Sequence, residues 1–424
     1  MILTPFQKGA RGFVKVPGSK SLTNRALLLA ALADGKSFLR GGLLSDDSKV
    51  MISALSDWGI DIFLKNDIWE IAGRDGKFAA GNHENFLGNA GTAMRFLTAA
   101  AGFCDGEIRL FGKSRMHARP IGDLVSALSA IGVEIFFEEK SGFPPVKIFG
   151  KKKIRGGKCN ISGKISSQFL SAILLVAAKT EKGVEIEIVG NLVSKPYFEM
   201  TKKLLKKWGV EILPKSKNIF SVAPQKIAPQ KNFEIEADAS SAAHIFSLAV
   251  AAGGEITILN FPKNSLQGDA EFLEILKKFG AEIDFPKTGA RVKMRGNPRS
   301  IGEINLEKIP DAAMNAVTLA ALCRGKSRIC GLKTLRVKEC DRIFALEKNL
   351  QKMGVKVSSG DDFIEIDGNP EKLRGAKIEC FDDHRIAMSF AILGTKVSGV
   401  EILDPKCVEK TFPNFWDIFE QCRR

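Results

Sequence analysis

Six short segments carry more chemistry than a helix entrance needs: GSKSLTNR (18–25), GNAGTAMR (88–95), SGKISSQ (162–168), DASSAAH (238–244), IPDAAMN (309–315) and DDHRIAM (382–388). Each leads into small and aliphatic residues that read as a helix apolar almost all round, hence buried. A helix N-terminus presents unpaired backbone N–H groups and the positive end of the macrodipole, so several such ends converging on one cleft make an anion site. Ser, Thr, Asp and Asn there are equally ordinary N-caps, and for any one segment capping explains them as well as binding does. Six in phase, with Lys20, Arg25, Arg95, Arg119, Lys164 and Arg385 in or near them, point to a shared site for anions.

Two further segments are dense in charge, LRVKECDR (335–342) and DPKCVEKTF (404–412). The first interleaves Arg336, Lys338, Glu339, Asp341 and Arg342. A salt-bridged surface accounts for such density, and so does a site in which carboxylates and cations tune one another for proton transfer. Other chemistries lack support. GKS at 35–37 and 325–327 has no glycine at P-loop spacing, and neither a dinucleotide-binding G-x-G-x-x-G after a strand nor a G-x-S-x-G elbow occurs. The eight cysteines form no C-x-x-C pair or zinc-spaced cluster and read as free, mostly buried thiols, and four histidines offer few metal ligands.

The elements that must position these residues repeat. A buried helix, a Gly-centred turn and a strand recur with the glycine at Gly35, Gly106, Gly183, Gly254, Gly325 and Gly399. An amphipathic helix ending in Gly before a short strand recurs in phase, at Gly59, Gly132, Gly209, Gly280 and Gly354. The period of about 73 residues is too long for a solenoid. It predicts six α/β units, three in each of two domains, with the small-residue helices inside and the strands outside. Lys202, Lys203, Lys206 and Lys207 then form a solvated helix face. At 424 residues the chain is long enough for two or three domains, and 45% hydrophobic with 26% charged residues is the balance of a globular protein. The net charge of +15 favours anionic partners. No apolar run reaches the length of a membrane span, and MILTPFQKGARGFVK lacks the apolar core of a secretory signal, so a cytoplasmic protein is expected.

Taken in order, PGSKSLTNRALLLAALA, LGNAGTAMRFLTAAAG, RPIGDLV, SSQFLSAILL, SKPYFEMT, QGD, IPDAAM, RVKECDR, DDHRIAM and DPKCVEKTFPNF resemble the signatures of the enolpyruvyl transferases, specifically those acting on shikimate 3-phosphate. The match runs from residue 16 to about 415. The resemblance implies an inside-out α/β barrel fold of two domains, each of three βαβαββ-type units with helix N-termini facing a cleft. The implied boundaries are 17–236 for one domain and 1–16 plus 237–424 for the other, with the active site between them.

It also implies transfer of the enolpyruvyl group of phosphoenolpyruvate to the 5-hydroxyl of shikimate 3-phosphate, releasing phosphate through a tetrahedral intermediate. Carried over by motif, Lys20, Ser21, Arg25, Ser166, Ser167, Gln168, Ser194, Tyr197, Asp311 and Lys338 would hold shikimate 3-phosphate. Lys20, Gly91, Arg119, Gln168, Arg342, Arg385 and Lys410 would surround phosphoenolpyruvate. Asp311 would take the hydroxyl proton, and Glu339 with Lys20 would manage protonation of the methylene carbon. No metal, cofactor, nucleic acid or membrane is implied, and a monomer is expected. Phe96 departs from the proline common in the family, and Thr334 from a common asparagine. The alternative is the sister activity on UDP-N-acetylglucosamine, whose members carry Lys-Asn where Lys20-Ser21 stands and a cysteine in the loop that reads GKSRMHARP here. A basic nucleic-acid-binding protein is motivated by charge alone, without the basic and aromatic arrays of that class.

Overall fold

The recurring sequence pattern folds as a recurring α/β unit. The computed structural model describes residues 1–164 and 166–423; Ile165, inside the SGKISSQ segment, and Arg424, at the end of the expected second domain, lie outside the described residues. In one copy, strand His83–Phe86 leads into helix Gly91–Ala100 and strand Asp105–Phe111, followed by helix Gly122–Ala130 and the hairpin Glu134–Phe137 and Val146–Lys151. The first two strands pair in parallel with His83 opposite Ile108, while Val146–Lys151 pairs antiparallel to Asp105–Phe111 and Glu134–Phe137 lies at the edge. Four other four-stranded sheets share this order of one parallel and two antiparallel pairings.

The sixth copy departs from the expectation of six like units: Lys377–Ile378 and Glu401–Ile402 pair in parallel, with no hairpin beyond them among the described residues. The reason is visible in the chain, where the glycine-terminated amphipathic helix recurs only five times. The five glycines that end it all have positive φ, from 78° to 109°, the left-handed conformation that stops a helix without a Cβ clash.

Two compact units result, one of Met1–Pro17 with Glu236–Arg424 and one of Gly18–Ile235. The first is discontinuous because strand Ala10–Val14 pairs with Gly254–Ile258. In the Gly18–Ile235 unit the helices Lys20–Leu32, Gly91–Ala100 and Ser167–Ala177 pack against one another. In the other unit the same holds for Ala239–Ala252, Pro310–Ala321 and His384–Gly394. These six are the small-residue helices, and nearly every residue in them is buried. Each fully buried leucine of Lys20–Leu32 contributes about 1.5–3 kcal/mol, and truncating one to Ala costs about 2–5 kcal/mol. The amphipathic helices cover the outside, with Lys203, Lys206 and Lys207 exposed. None of the described helices is long and apolar enough to cross a membrane.

Candidate active site

Three polar segments of the discontinuous unit meet around one guanidinium. Asp383 caps helix His384–Gly394, accepting from the Arg385 N–H at 2.9 Å, and Asp311 occupies the first turn of Pro310–Ala321. Arg342 opens helix Arg342–Lys352 and is 1% exposed. Its Nε donates to Asp383 at 2.7 Å, one terminal nitrogen to Asp311 at 3.0 Å, and the other to Glu339 at 3.0 Å and Asp383 at 3.3 Å. Lys338 lies 3.3 Å and Arg385 3.6 Å from Asp311, and Lys410 lies 3.7 Å from Glu339. The LRVKECDR segment thus divides: Arg336 and Asp341 pair at 2.8 Å nearer the surface, while Glu339 and Arg342 turn inward.

Burial works against charge here and is outweighed. It would raise the Asp311 carboxyl, but Lys338, Arg385 and Arg342 hold it well below the usual carboxylate range. Burial would likewise lower Arg342, yet Asp383, Glu339 and Asp311 keep it firmly protonated. Beside them, burial and then the charge of Asp311 push the Asp269 carboxyl up to about 6. Ser240 donates a hydrogen bond to it. His244 is held neutral by burial and by the facing Arg385 and Arg342.

The Gly18–Ile235 unit presents cations differently. Ser19 caps Lys20–Leu32, and Lys20 pairs with Asp47 at 2.9 Å. Arg25, 1% exposed, donates to the Thr201 hydroxyl at 2.8 Å, the Ser21 carbonyl at 3.0 Å and the Ser171 hydroxyl at 3.3 Å, with its face 5.0 Å from the Phe96 ring centroid. Among the described residues no carboxylate lies within ion-pair distance of it, and burial pulls it from the usual 12.5 to about 10. A buried cation held by hydroxyls and a carbonyl is an anion site in waiting.

Ser166 caps Ser167–Ala177, and the Ser167 carbonyl accepts from Ser171 at 3.0 Å. Gln168 reaches across to the Thr92 hydroxyl at 3.3 Å. Ser194 takes a left-handed φ of 51° before helix Lys195–Lys207, its carbonyl accepts from the Tyr197 N–H, and the Tyr197 carbonyl accepts from Thr201. Arg119 is fixed by the carbonyl and side chain of Asn89 at 3.0 and 3.1 Å. Gly91 leaves it room: a Cβ there would meet the Arg119 and Arg95 guanidinium nitrogens at 2.4 and 2.5 Å. No cluster of three or more potential metal ligands occurs among the described residues.

Residues 7–419 match the family model described as EPSP synthase (3-phosphoshikimate 1-carboxyvinyltransferase). The chain belongs to the EPSP synthase family. Among similar proteins, the 3-phosphoshikimate 1-carboxyvinyltransferase of Vibrio vulnificus is 42% identical over 421 residues, covering 98% of this chain and 97% of that one. That of Pasteurella multocida is 42% identical over 419 residues, covering 96% and 94%. The EPSP synthase of Acinetobacter baumannii, a solved structure, is 26% identical with a TM-score of 0.81, covering 99% of this chain and 97% of that one. The fold is therefore the two-domain α/β fold of this family, and the sister enzymes of nucleotide-sugar metabolism are not favoured.

Within the EPSP synthase frame, the structure brings Asp311, Lys338, Glu339, Arg342, Arg385 and Lys410 into one ionic cluster. Arg25 gathers Ser21 by direct contact and joins Ser167 and Tyr197 through Ser171 and Thr201. Lys20, the Gly91–Arg119 pair, Ser166 and Gln168 sit at the starts of the buried helices or beside them. Sequence reasoning missed the partners: Asp383 for Arg342, Asp47 for Lys20, Thr201 and Ser171 for Arg25, and Asn89 for Arg119. Asp383 and Asn89 lay inside segments already singled out, and Thr201 follows Tyr197 by one helical turn; Asp47 carried no signal of its own.

Proposed function

We propose that the protein transfers the enolpyruvyl group of phosphoenolpyruvate to the 5-hydroxyl of shikimate 3-phosphate, releasing inorganic phosphate. The observation that carries this reading is a pair of carboxylates, the half-buried Asp311 and the buried Glu339, held on Arg342 and ringed by Lys338, Arg385 and Lys410. The two substrates bring roughly −5 to −6 of charge, two phosphates and two carboxylates. Cations in that number, several of them arginines suited to a bidentate grip, are what such a load demands. The names of the similar proteins support the same reaction.

Shikimate 3-phosphate is assigned to Lys20, Ser21, Arg25, Ser166, Ser167, Gln168, Ser194, Tyr197, Asp311 and Lys338. Phosphoenolpyruvate is assigned to Lys20, Gly91, Arg119, Gln168, Arg342, Arg385 and Lys410. These residues then serve one reaction, in a monomer working in the cytoplasm. Ser166, Ser167 and Gln168 hold the phosphate and ring of shikimate 3-phosphate, and Arg25, buried with no carboxylate at ion-pair distance among the described residues, contacts the same substrate. As phosphoenolpyruvate draws Arg342, Arg385 and Lys410 onto its own anionic groups, Asp311 and Glu339 lose cation partners and become better proton acceptors.

Asp311 takes the proton of the 5-hydroxyl as its oxygen attacks C2 of phosphoenolpyruvate, while Glu339, with Lys20, delivers a proton to C3. The tetrahedral adduct then returns a proton from C3 as the C2–phosphate oxygen bond breaks, leaving the enolpyruvyl ether and phosphate. The negative carboxylates also stabilise cation-like charge at C2. Each positioned acid or base is typically worth ~10²–10⁴-fold.

Phosphate release from phosphoenolpyruvate, measured in metal-free buffer with shikimate 3-phosphate and in parallel with UDP-N-acetylglucosamine, tests the reading. Release with shikimate 3-phosphate alone is expected. Release with the nucleotide sugar alone, or with neither, overturns it.

A further inference from the structure

Six of the eight cysteines are accounted for by packing or by their place at a surface. Cys104, Cys159, Cys323 and Cys422 are buried, and burial pushes each thiol up to about 12, where it is inert. Cys340 is raised further by burial and by Asp383, to which its thiol donates at 3.5 Å. Cys380 behaves in the opposite way because of its neighbour. Strands Lys377–Ile378 and Glu401–Ile402 run in parallel with Ile378 opposite Ile402, and the Leu403 N–H continues the ladder to the Ile378 carbonyl at 3.2 Å. The register carries Cys380 and the turn Pro405–Lys410, which holds Cys407, to the same end of the pair. There the Cys407 thiol faces the Cys380 sulfur, and its interaction, opposed by burial and aided by the Asp404 backbone, lowers Cys380 below the usual thiol value. Cys407 is raised by the same interaction and by burial. Cys380 is 3% exposed, whereas Cys407 is half-buried and opens the pair to small solutes.

We propose that Cys380 and Cys407 form an oxidisable dithiol that closes to a disulfide with a peroxide as the oxidant. The Cys380 thiolate attacks the O–O bond, becoming a sulfenic acid as one oxygen leaves as water after protonation. The Cys407 sulfur then attacks Cys380, the S–S bond forms and a second water departs. Two thiols lose two electrons and two protons, and one peroxide is reduced to two waters. The placement gives the bond a consequence. Cys380 is followed by the left-handed residues Phe381 and Asp382 and then by Asp383, the partner of Arg342. Cys407 shares its turn with Lys410, which lies 3.7 Å from Glu339. The disulfide therefore ties the Lys410 turn to the segment that anchors Arg342, and the inferred loss of turnover rests on the function proposed above.

The experiment treats the whole protein with hydrogen peroxide, then digests it with trypsin under non-reducing conditions. A linked pair of peptides, IECFDDHR (378–385) with CVEK (407–410), is expected, with free thiols titrated in denaturant falling from eight to six. Turnover falls in step with the linked fraction and returns with dithiothreitol. Cys380→Ser and Cys407→Ser keep turnover without oxidant and lose both the link and the reversible inactivation. Absence of the linked peptide from the wild-type protein overturns the proposal, as does reversible inactivation that persists in Cys380→Ser. The peptide readout needs no substrate, so a linked pair in a protein without the proposed activity would fault the function reading and leave the dithiol standing.

Discussion

Replacing Arg25 by Met separates the cost of a buried charge from its use. Burial lowers the guanidinium from 12.5 to about 10, so holding it charged at pH 7 costs the native state roughly 3 kcal/mol at 1.36 kcal/mol per pH unit. Because the folded value is depressed, the unfolded chain binds the proton more tightly between pH 10 and 12.5. The penalty is therefore complete below pH 10 and is relieved only as pH rises through that window. Methionine of similar length removes the penalty and also removes three hydrogen bonds and the stacking on Phe96. Thr201 and Ser171 keep partners in the Tyr197 and Ser167 carbonyls, so the lost bonds cost about 1 kcal/mol each.

The two effects nearly cancel, and Arg25→Met is expected within about 1 kcal/mol of wild type when no ligand is present. With ligand the variants part. At a shikimate 3-phosphate concentration of 100 Kd the wild type gains about 2.7 kcal/mol. A variant binding ~100-fold more weakly, for loss of a charge-assisted contact to the substrate, gains only about 0.4 kcal/mol at that concentration. Urea unfolding followed by tryptophan fluorescence reads both, since Trp58, Trp69 and Trp208 lie in the same unit as Arg25 and only Trp416 lies outside it. Loss of 3 kcal/mol or more without ligand, or an undiminished response to ligand, would refute the reasoning.

Asp311→Asn and Glu339→Gln are each expected to lower kcat by ~10²–10⁴-fold while keeping ligand-induced stabilisation; kcat and unfolding midpoints check this together. Gly91→Ala would press a Cβ onto the Arg119 and Arg95 guanidinium nitrogens at 2.4 and 2.5 Å. The displaced Arg119 is expected to raise KM for phosphoenolpyruvate by ~10-fold or more and leave KM for shikimate 3-phosphate nearly unchanged, as initial rates would show. Asp269, raised to about 6 by burial and then by Asp311, contributes stability that is full below pH 3.8 and lost as pH rises through 6. Asp269→Asn should therefore be more stable than wild type at pH 7, by up to about 3 kcal/mol, and lose that advantage near pH 4, measured as urea midpoints at the two pH values.

The fold was legible because its signals are local and repeated. Gly59, Gly132, Gly209, Gly280 and Gly354 mark helix ends that favour a left-handed residue, while the truncated sixth sheet went against the expectation of six like units, although the series has only five members. Lys20, Ser166 and Arg385 were legible as helix-start residues, because a polar cluster marks where each apolar helix begins, and Ser166 indeed caps its own helix. The pairings were not. Arg25 meets Ser171 and Thr201 from 146 and 176 positions away, and Arg342 meets Asp383 from 41. Such contacts depend on how helices pack, and no spacing in the chain encodes them. The thiol pair of Cys380 and Cys407 is of the same kind, brought together by a two-residue strand pairing that no periodicity announces.

The pairing of Ala10–Val14 with Gly254–Ile258 bears on how the chain is made. Residue 10 leaves the ribosome about 244 residues before its partner, a wait of roughly 10–50 s at ordinary synthesis rates. During that interval the Gly18–Ile235 unit has its whole sequence available, including the returning strand Phe233–Glu234 that completes its first sheet. Once folded, that unit acts as a clamp on its own ends. Gly18 lies against Gly41 and Ile235, and the Asp238 N–H then meets the Pro17 carbonyl at 2.8 Å. A loop of more than two hundred residues is thereby closed before the second unit begins to assemble, and most of its closure entropy has been met within a domain that folds for its own reasons. The waiting N-terminal strand is delivered to its place by the domain that was inserted behind it.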